Sequence, residues 1–218
     1  MKIIAIDGPA GAGKSTISKL LAQKLGFLYI DSGALYRALT WYALSKNIDF
    51  NDSDAIIRTC IGSSLDMKSD ENGKLRIFLN NEEISGLIRT KRVSRHVSTI
   101  ATLSPLRKKV VQVLRTFQHD KGIVMDGRDI GTVVFPNADF KFFLTATPEE
   151  RAKRRVLELK QRGESADFNE ILKDIKERDY KDKNRSDSPL KITKESIIID
   201  TTSLNKDEVV DELSKYVV

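Results

Sequence analysis

Long apolar runs and cysteines are both scarce in this sequence, and each shortage excludes a class of protein. The single cysteine, Cys60, leaves no possibility of an internal disulfide, so the fold does not require an oxidising compartment. The apolar run Ile3–Ile6 ends at Asp7, which is too short for a secretory signal, and no later run approaches the roughly 20 residues that span a bilayer. We therefore expect a cytoplasmic protein without a membrane partner.

Internal repeats, low-complexity tracts and flexible linkers are also missing, which favours one domain over a string of modules. The 218 residues suffice for one domain with a sizeable core, and 40% hydrophobic and 31% charged residues are typical of a soluble globular chain. The 37 lysines and arginines exceed the 31 aspartates and glutamates by six. This mild basic excess suits an anionic partner such as a phosphate, a nucleotide or a nucleic acid.

Short apolar segments alternate with helical patterns along the chain. The segments that predict strands are 3–6, 27–30, 123–125, 140–144 and 197–199. The clearest helical patterns begin at Lys14, Asp31, Ser104, Phe168 and Asn205. The alternation predicts an α/β fold with a sheet of about five parallel strands and helices on both faces, where ligands bind at the carboxyl ends of the strands.

Residues 61–84 follow a different pattern. Apolar residues alternate with polar ones on both sides of a turn signal at Asn72-Gly73. The segment predicts a small antiparallel β insertion inside the single domain.

The link between the first strand and the first helix carries the most specific motif. It matches G-x-x-x-x-G-K-[ST] and reads Gly8-Pro9-Ala10-Gly11-Ala12-Gly13-Lys14-Ser15, followed by Thr16. In this motif glycines turn backbone N–H groups around phosphate oxygens, the lysine reaches the β and γ phosphates, and the serine hydroxyl binds Mg²⁺. The sequence therefore predicts a phosphate-binding loop for a nucleoside triphosphate.

The segment Asp126–Gly131 follows the third predicted strand and lies at the same sheet edge as the phosphate-binding loop. The guanidinium fork of Arg128 fits an acceptor phosphate, and the carboxylate of Asp129 fits an exocyclic amine such as the one at cytosine N4. A tight turn with a structural Arg–Asp pair is the alternative.

Two arginine groups occur on predicted helices. In the helix predicted over Phe168–Arg185, the apolar stripe continues at helical period onto Arg178, Asp182 and Arg185. Charged residues on such a stripe face the body of the protein, which favours a buried anion site over a solvated charge run. Arg151, Arg154 and Arg155 share another helix face, and the sequence leaves open whether they close over a transferring phosphate or face solvent.

Taken in order, these motifs resemble those of the bacterial cytidylate kinases over essentially the whole chain. The resemblance rests on the phosphate-binding loop, on D-S-G-A-L-Y-R at 31–37, on D-G-R-D-I-G-T-V-V-F-P at 126–136, and on Arg178 to Arg185 followed by Ser188-Pro189-Leu190. It implies a P-loop nucleoside triphosphate hydrolase-like fold with a helical lid. The implied reaction is transfer of the γ-phosphate of ATP, with Mg²⁺, to CMP or dCMP in pyrimidine nucleotide metabolism. We expect a monomer.

The resemblance also implies a division of the single domain, residues 1–218. The core comprises residues 1–31, 104–147 and 166–218. The monophosphate-binding part with its insertion is 32–103, and the lid is 148–165.

The family pattern assigns roles position by position. The pattern places Gly8 to Thr16 of the phosphate-binding loop on the ATP side. The lid beside this loop contains Arg151, Arg154 and Arg155. On the acceptor nucleotide the pattern places Ser32, Tyr36, Arg37, Ser98, Arg107, Gly127, Arg128, Asp129, Arg178, Asp182 and Arg185. Arg37 matches a phosphate contact, Asp182 the sugar contact, and Ser98, Arg107 and Asp129 the residues that bind cytosine. Lys14, Arg128, Arg178 and Arg185 are the implied catalytic residues, since phosphoryl transfer depends mainly on positioning and charge neutralisation.

Some choices remain open at this level. Ser15 is the expected Mg²⁺ ligand, and both Asp126 and Asp31 end strands close enough to support the ion, of which we favour Asp126. Another P-loop kinase acting on UMP, AMP or a metabolite is the main alternative function. A nucleic-acid-stimulated ATPase is disfavoured because the basic residues converge on strand ends and the chain has one tryptophan. We therefore expect no nucleic-acid partner.

Overall fold

The computed structural model describes residues 2–70, 74–117, 120–161 and 163–217. The predicted turn at Asn72-Gly73 lies outside these residues. In chain order the strands are β1 (Ile3–Asp7), β2 (Leu28–Asp31), β3 (Leu65–Ser69), β4 (Leu75–Leu79), β5 (Glu82–Glu83), β6 (Ile123–Gly127), β7 (Phe140–Thr145) and β8 (Ile197–Asp200). The helices are α1 (Lys14–Leu25), α2 (Ser32–Ser45), α3 (Ser53–Ile61), α4 (Lys91–Thr102), α5 (Ser104–Thr116), α6 (Pro148–Gln161), α7 (Phe168–Asn184) and α8 (Lys206–Val217).

Within the described part of the chain, five strands form a parallel sheet in the order β2-β6-β1-β7-β8. The register places Asp7 beside Gly127 and Asp31 beside Asp126, so the carboxyl ends of β1, β2 and β6 meet at one edge. The strands β3, β4 and β5 form a separate antiparallel sheet. The predicted α/β class, parallel sheet and small insertion are confirmed.

Hydrophobic cores cover both faces of the parallel sheet. Successive strand residues point to opposite faces, so Ile4 and Ile6 pack with α1 and α8, whereas Ala5 packs on the side of α2 and α5. Parallel strands buried on both faces require continuous apolar runs, which explains why the strands were visible in the sequence. Among the described helices, none combines the length and the apolar content that crossing a membrane requires.

Three local features differ from the sequence expectations. The helix α3 was not predicted, although Asp52 caps it by accepting a hydrogen bond from the Ala55 N–H at 2.8 Å. The helix α7 ends at Asn184, one residue before the predicted end. A short π-helical turn, Ile130–Val134, follows β6 where only a loop was expected.

Candidate functional site

The phosphate-binding loop joins β1 to α1, and its conformation depends on the backbone freedom of its glycines. Gly8 has φ +148°, and a Cβ at this position would lie 2.0 Å from the Leu144 carbonyl oxygen. Gly13 adopts the left-handed region, φ 82°, as the N-cap of α1. The Lys14 Nζ is buried and donates to the Pro9 carbonyl at 2.7 Å. Burial, followed by the nearby Arg128 charge, lowers the pKa of Lys14 well below its usual value.

Ser15 and Asp126 face each other across the start of α1 and the end of β6. The Ser15 hydroxyl donates to Asp126 Oδ2 at 2.9 Å, and the Tyr29 hydroxyl donates to Oδ1 at 2.6 Å. Burial, followed by the charge of Asp31, raises the pKa of Asp126 to about 6. Asp31 instead forms an ion pair with Arg89. A hydroxyl beside a carboxylate is a donor set that fits Mg²⁺, which retains water and phosphate ligands as well.

Asp7 fixes the segment that carries Arg128 and Asp129. Its two carboxylate oxygens accept the backbone N–H groups of Ile130 and Gly131, each at 2.8 Å. Burial raises the pKa of Asp7 to about 6, although both hydrogen bonds oppose the rise. In the sequence, Asp7 is recognisable only as the residue that ends the first apolar run.

Three residues predicted to contact the acceptor form one buried charged cluster. Arg107 Nη2 donates to Asp129 Oδ2, and Arg185 Nη2 lies 3.5 Å from Asp129 Oδ1. Arg107 also donates to the Ala101 carbonyl and lies over the ring of Tyr36, 5.7 Å from its centroid. Asp129 therefore pairs with Arg107 and Arg185 and not with its neighbour Arg128.

Arg128, Arg178 and Asp182 form a second group next to the first. Arg128 Nε donates to Asp182 Oδ2 at 2.7 Å, which holds the end of β6 against α7. Burial alone would raise the pKa of Asp182, but the positive charges of Arg128 and Arg178 outweigh it and lower the pKa. Burial, followed by the Arg128 charge, lowers the pKa of Arg178 to about 10.

The remaining acceptor-side residues line the start of α2, α4 and the end of β6. The Ser32 hydroxyl donates to the Asp126 carbonyl at 2.7 Å, and Arg37 Nη1 donates to Ser94 Oγ at 2.9 Å. Ser98 is half-buried on α4. A Cβ on Gly127 would lie 2.6 Å from Ile130 Cδ1 and 2.7 Å from Ser32 Oγ, so a larger residue here would displace the Ile130 and Ser32 side chains.

The three arginines of α6 have different surroundings. Arg154 Nη1 donates to Thr201 Oγ1 at 2.9 Å and lies beside Gly13 of the phosphate-binding loop. Arg155 is partly exposed and pairs with Glu158 at 2.7 Å. Arg151 is buried and pairs with Asp179 of α7. The alternative of a common solvated face is therefore wrong for Arg151.

Three arginine nitrogens near these groups, among the described residues, are buried and make no hydrogen bond: Arg107 Nε, Arg178 Nε and Arg185 Nη2, the last of which has only the 3.5 Å ion-pair contact with Asp129. Buried donors of this kind are normally satisfied, because leaving them without an acceptor costs about 1–3 kcal/mol each. The three donors fit a ligand that is rich in oxygen acceptors, such as a nucleoside monophosphate.

Comparison with known proteins agrees with this geometry. A protein-family model described as cytidylate kinase matches residues 4–218. The cytidylate kinase of Fusobacterium nucleatum is 46% identical over 99% of this chain and 96% of its own length, and that of Clostridium tetani is 47% identical over 99% and 93%. A solved structure of an uncharacterised protein from Eubacterium ventriosum covers 100% of this chain and 98% of its own with a TM-score of 0.51, and its 13% identity indicates a shared fold only. With a family match over nearly the whole length, the chain belongs to the cytidylate kinase family.

Proposed function

We propose that the chain transfers the γ-phosphate of ATP to CMP or dCMP, with CDP or dCDP and ADP as products. Family membership supports the reaction class. The observation that carries the proposal is the set of buried arginine donors at the carboxyl edge of the sheet, next to the phosphate-binding loop, of which Arg107 and Arg185 share the carboxylate of Asp129.

The ATP side is the phosphate-binding loop with Lys14. When bound, Mg²⁺ neutralises charge on the phosphates, and the Ser15 hydroxyl with the Asp126 carboxylate behind it would hold the ion. The backbone N–H groups from Gly8 to Thr16 bind phosphate oxygens at the N-terminus of α1. Arg154 lies beside Gly13 and suits a contact with the donor nucleotide.

The acceptor phosphate binds to four arginines that converge from three elements. Arg37 comes from α2, Arg128 from the end of β6, Arg178 from α7 and Arg185 from its end. Fixed positive charges stabilise the charge that spreads over the transferred phosphoryl group, and they hold the two reacting oxygens in line. No side-chain base is needed for an attacking phosphate oxygen.

The base binds to Asp129, Arg107 and Ser98, and the sugar to Asp182. Cytosine presents an amine at N4 and acceptors at N3 and O2, which complement one carboxylate and donors from an arginine and a serine. Uracil would place an oxygen against the carboxylate of Asp129. The site therefore prefers CMP to UMP.

The same proposal includes the division into core, monophosphate-binding part and lid. Its support is local: α6 packs on α7, and Lys91 at the start of α4 forms an ion pair with Glu164 after α6 at 2.6 Å. We infer that this contact belongs to a lid closing on the monophosphate-binding part, which excludes water from the reaction. A cytoplasmic monomer that acts on small molecules and not on nucleic acid fits this reaction.

The test is ADP formation from Mg-ATP with CMP, dCMP, UMP, AMP or no acceptor. We expect strong turnover with CMP and dCMP only. Comparable kcat/KM values for CMP and UMP would contradict the assignment of Asp129, and turnover with another acceptor in place of CMP would contradict the proposed function.

A further inference from the structure

The side chain of Arg151 is almost fully bonded to its surroundings. Its Nε donates to the Ala146 carbonyl at 2.9 Å, and its Nη1 donates to the Ala10 carbonyl at 3.0 Å. Both terminal nitrogens also donate to Asp179, from Nη1 to Oδ1 at 3.0 Å and from Nη2 to Oδ2 at 2.6 Å. Only 3% of this side chain is exposed. Two parallel bonds between a guanidinium and a carboxylate form a strong and directional pair.

The contact with Ala10 fixes part of the phosphate-binding loop. A trans peptide unit is planar, so the Ala10 carbonyl and the Gly11 N–H point in opposite directions. Arg151 holds the carbonyl and thereby turns the Gly11 N–H away from itself. Gly11 also packs closely against Arg151, because a Cβ on this glycine would lie 3.2 Å from the Arg151 Cβ. These two observations connect Arg151 to the same peptide unit of the loop.

The number of donors indicates how Arg151 acts. An arginine has five N–H donors, and the contacts to Ala146, Ala10 and Asp179 engage four of them. We propose that Arg151 is a positioning residue that presets the Gly11 amide for a donor phosphate, and that Asp179 holds Arg151 in place. This proposal rests on the proposed ATP-dependent function, and it replaces direct phosphate binding as the role of Arg151.

Asp179 adds a connection between the two halves of the site. It lies on α7 next to Arg178 and one turn before Asp182, both assigned to the acceptor nucleotide. The path Asp179, Arg151, Ala10 therefore joins the acceptor-binding helix to the loop that binds the donor. Oriented amides stabilise phosphate charge only when their direction is fixed in advance.

The test is ADP binding by calorimetry with wild-type protein, Asp179→Asn and Arg151→Lys. Asparagine keeps the shape of Asp179 but presents an amide N–H₂ to the guanidinium, and lysine keeps the charge of Arg151 without its fork. We expect both variants to raise the Kd for ADP by about tenfold, the effect of weakening one charge-assisted hydrogen bond. The Kd for CMP should change by less than about twofold, because the acceptor contacts remain.

Glu149→Gln is the matched control. Glu149 forms another ion pair between α6 and α7, with Lys176 at 3.2 Å, but both of its side chains are exposed, unlike those of Arg151 and Asp179. We expect wild-type ADP affinity in this variant. Equal weakening in Glu149→Gln and Asp179→Asn, or unchanged ADP affinity in Asp179→Asn and Arg151→Lys, would overturn the positioning role. Calorimetry needs no turnover, so its result is separate from a failure of CMP kinase activity.

Discussion

Asp129→Asn tests two roles of one carboxylate: the buried ion pair with Arg107 and the proposed contact with the base. Asp129 is 7% exposed and Arg107 is 3% exposed, so their ion pair is shielded from water. Removing one partner of a buried pair costs about 3–5 kcal/mol, because the other charge remains buried without compensation. Asparagine keeps one acceptor oxygen for Arg107, but it turns an amide donor toward Arg185. We expect the free energy of unfolding to fall by about 3 kcal/mol, which is near the lower end of this range.

The same substitution is expected to relax the choice of base. The asparagine amide can donate to the uracil oxygen that a carboxylate would repel, so the ratio of kcat/KM for CMP to that for UMP should fall by at least about tenfold. Urea unfolding followed by circular dichroism measures the stability loss, which corresponds to a Tm lower by about 6–12 °C for a chain of this size. Kinetics with both nucleotides, below the unfolding temperature, measure the selectivity.

Asp174→Asn provides the control for this prediction, because Asp174 lies exposed on α7. Its free energy of unfolding should stay within about 0.5 kcal/mol of wild type, and its selectivity should not change. A stability loss below about 1 kcal/mol in Asp129→Asn would refute the role of the buried pair. An unchanged ratio of the kcat/KM values for CMP and UMP would refute the proposed contact between Asp129 and the base.

Two further predictions concern the phosphate-binding loop and the carboxylate before it. Gly8→Ala should lower the Tm and weaken ADP binding, because its Cβ would lie 2.0 Å from the Leu144 carbonyl oxygen, and wild-type values for both would contradict this geometry. Burial raises the pKa of Asp7 from 3.8 to about 6, so the folded chain binds this proton more tightly than the unfolded chain. The associated stability is present below the unfolded pKa and is lost as pH rises through the folded pKa, a decrease of roughly 3 kcal/mol. Urea titrations between about pH 4 and pH 7 should show a larger decrease in wild type than in Asp7→Asn, which keeps only the contribution of the raised pKa of Asp126, and an equal decrease in both proteins would refute the role of Asp7.

Apart from α3, the order of strands and helices was predictable because it depends on local pattern. Continuous apolar runs marked the strands of the parallel sheet, and the glycine motif marked the loop between β1 and α1. The π-helical turn Ile130–Val134 was not predictable in this way. Its geometry depends on Asp7, which accepts the N–H groups of Ile130 and Gly131 from 123 and 124 residues away. Sequence spacing contains no signal for contacts of that range.

Tyr29 makes a contact at the candidate site that its local sequence pattern does not indicate. In the sequence it reads as one apolar position of a short strand. In the structure its hydroxyl reaches the carboxylate of Asp126 from the neighbouring strand, because the parallel register of β2 and β6 brings the two strand ends together. The signal was present only as a polar atom on a half-buried strand residue at the carboxyl edge of the sheet. A tyrosine hydroxyl in such a place usually finds a partner.

The sequence indicated which residues belong to the candidate site, but it did not indicate which of them form ion pairs with each other. The inward stripe of α7 correctly placed Arg178, Asp182 and Arg185 toward the body of the protein. Arg128 and Asp129 are neighbours in sequence, and their alternative interpretation was a pair with each other. Their partners are instead 54 and 22 residues away, Asp182 and Arg107. Arg128 and Asp129 lie in the bend between β6 and the π-helical turn, where Arg128 meets Asp182 of α7 and Asp129 meets Arg107 of α5.

This distribution of pairs has a consequence for binding. An arginine that is buried alone carries a large desolvation cost, and one whose donors are all engaged has little left for a ligand. Arg107 and Arg185 are an intermediate case, because both pair with a single carboxylate, Asp129. Each of these arginines also has one buried nitrogen that makes no hydrogen bond. Arg151 lies at the other limit, because Asp179 and two carbonyls engage four of its donors. The ratio of arginines to carboxylates around each group therefore distinguishes the arginines proposed to bind the nucleotide from the one proposed to hold the loop.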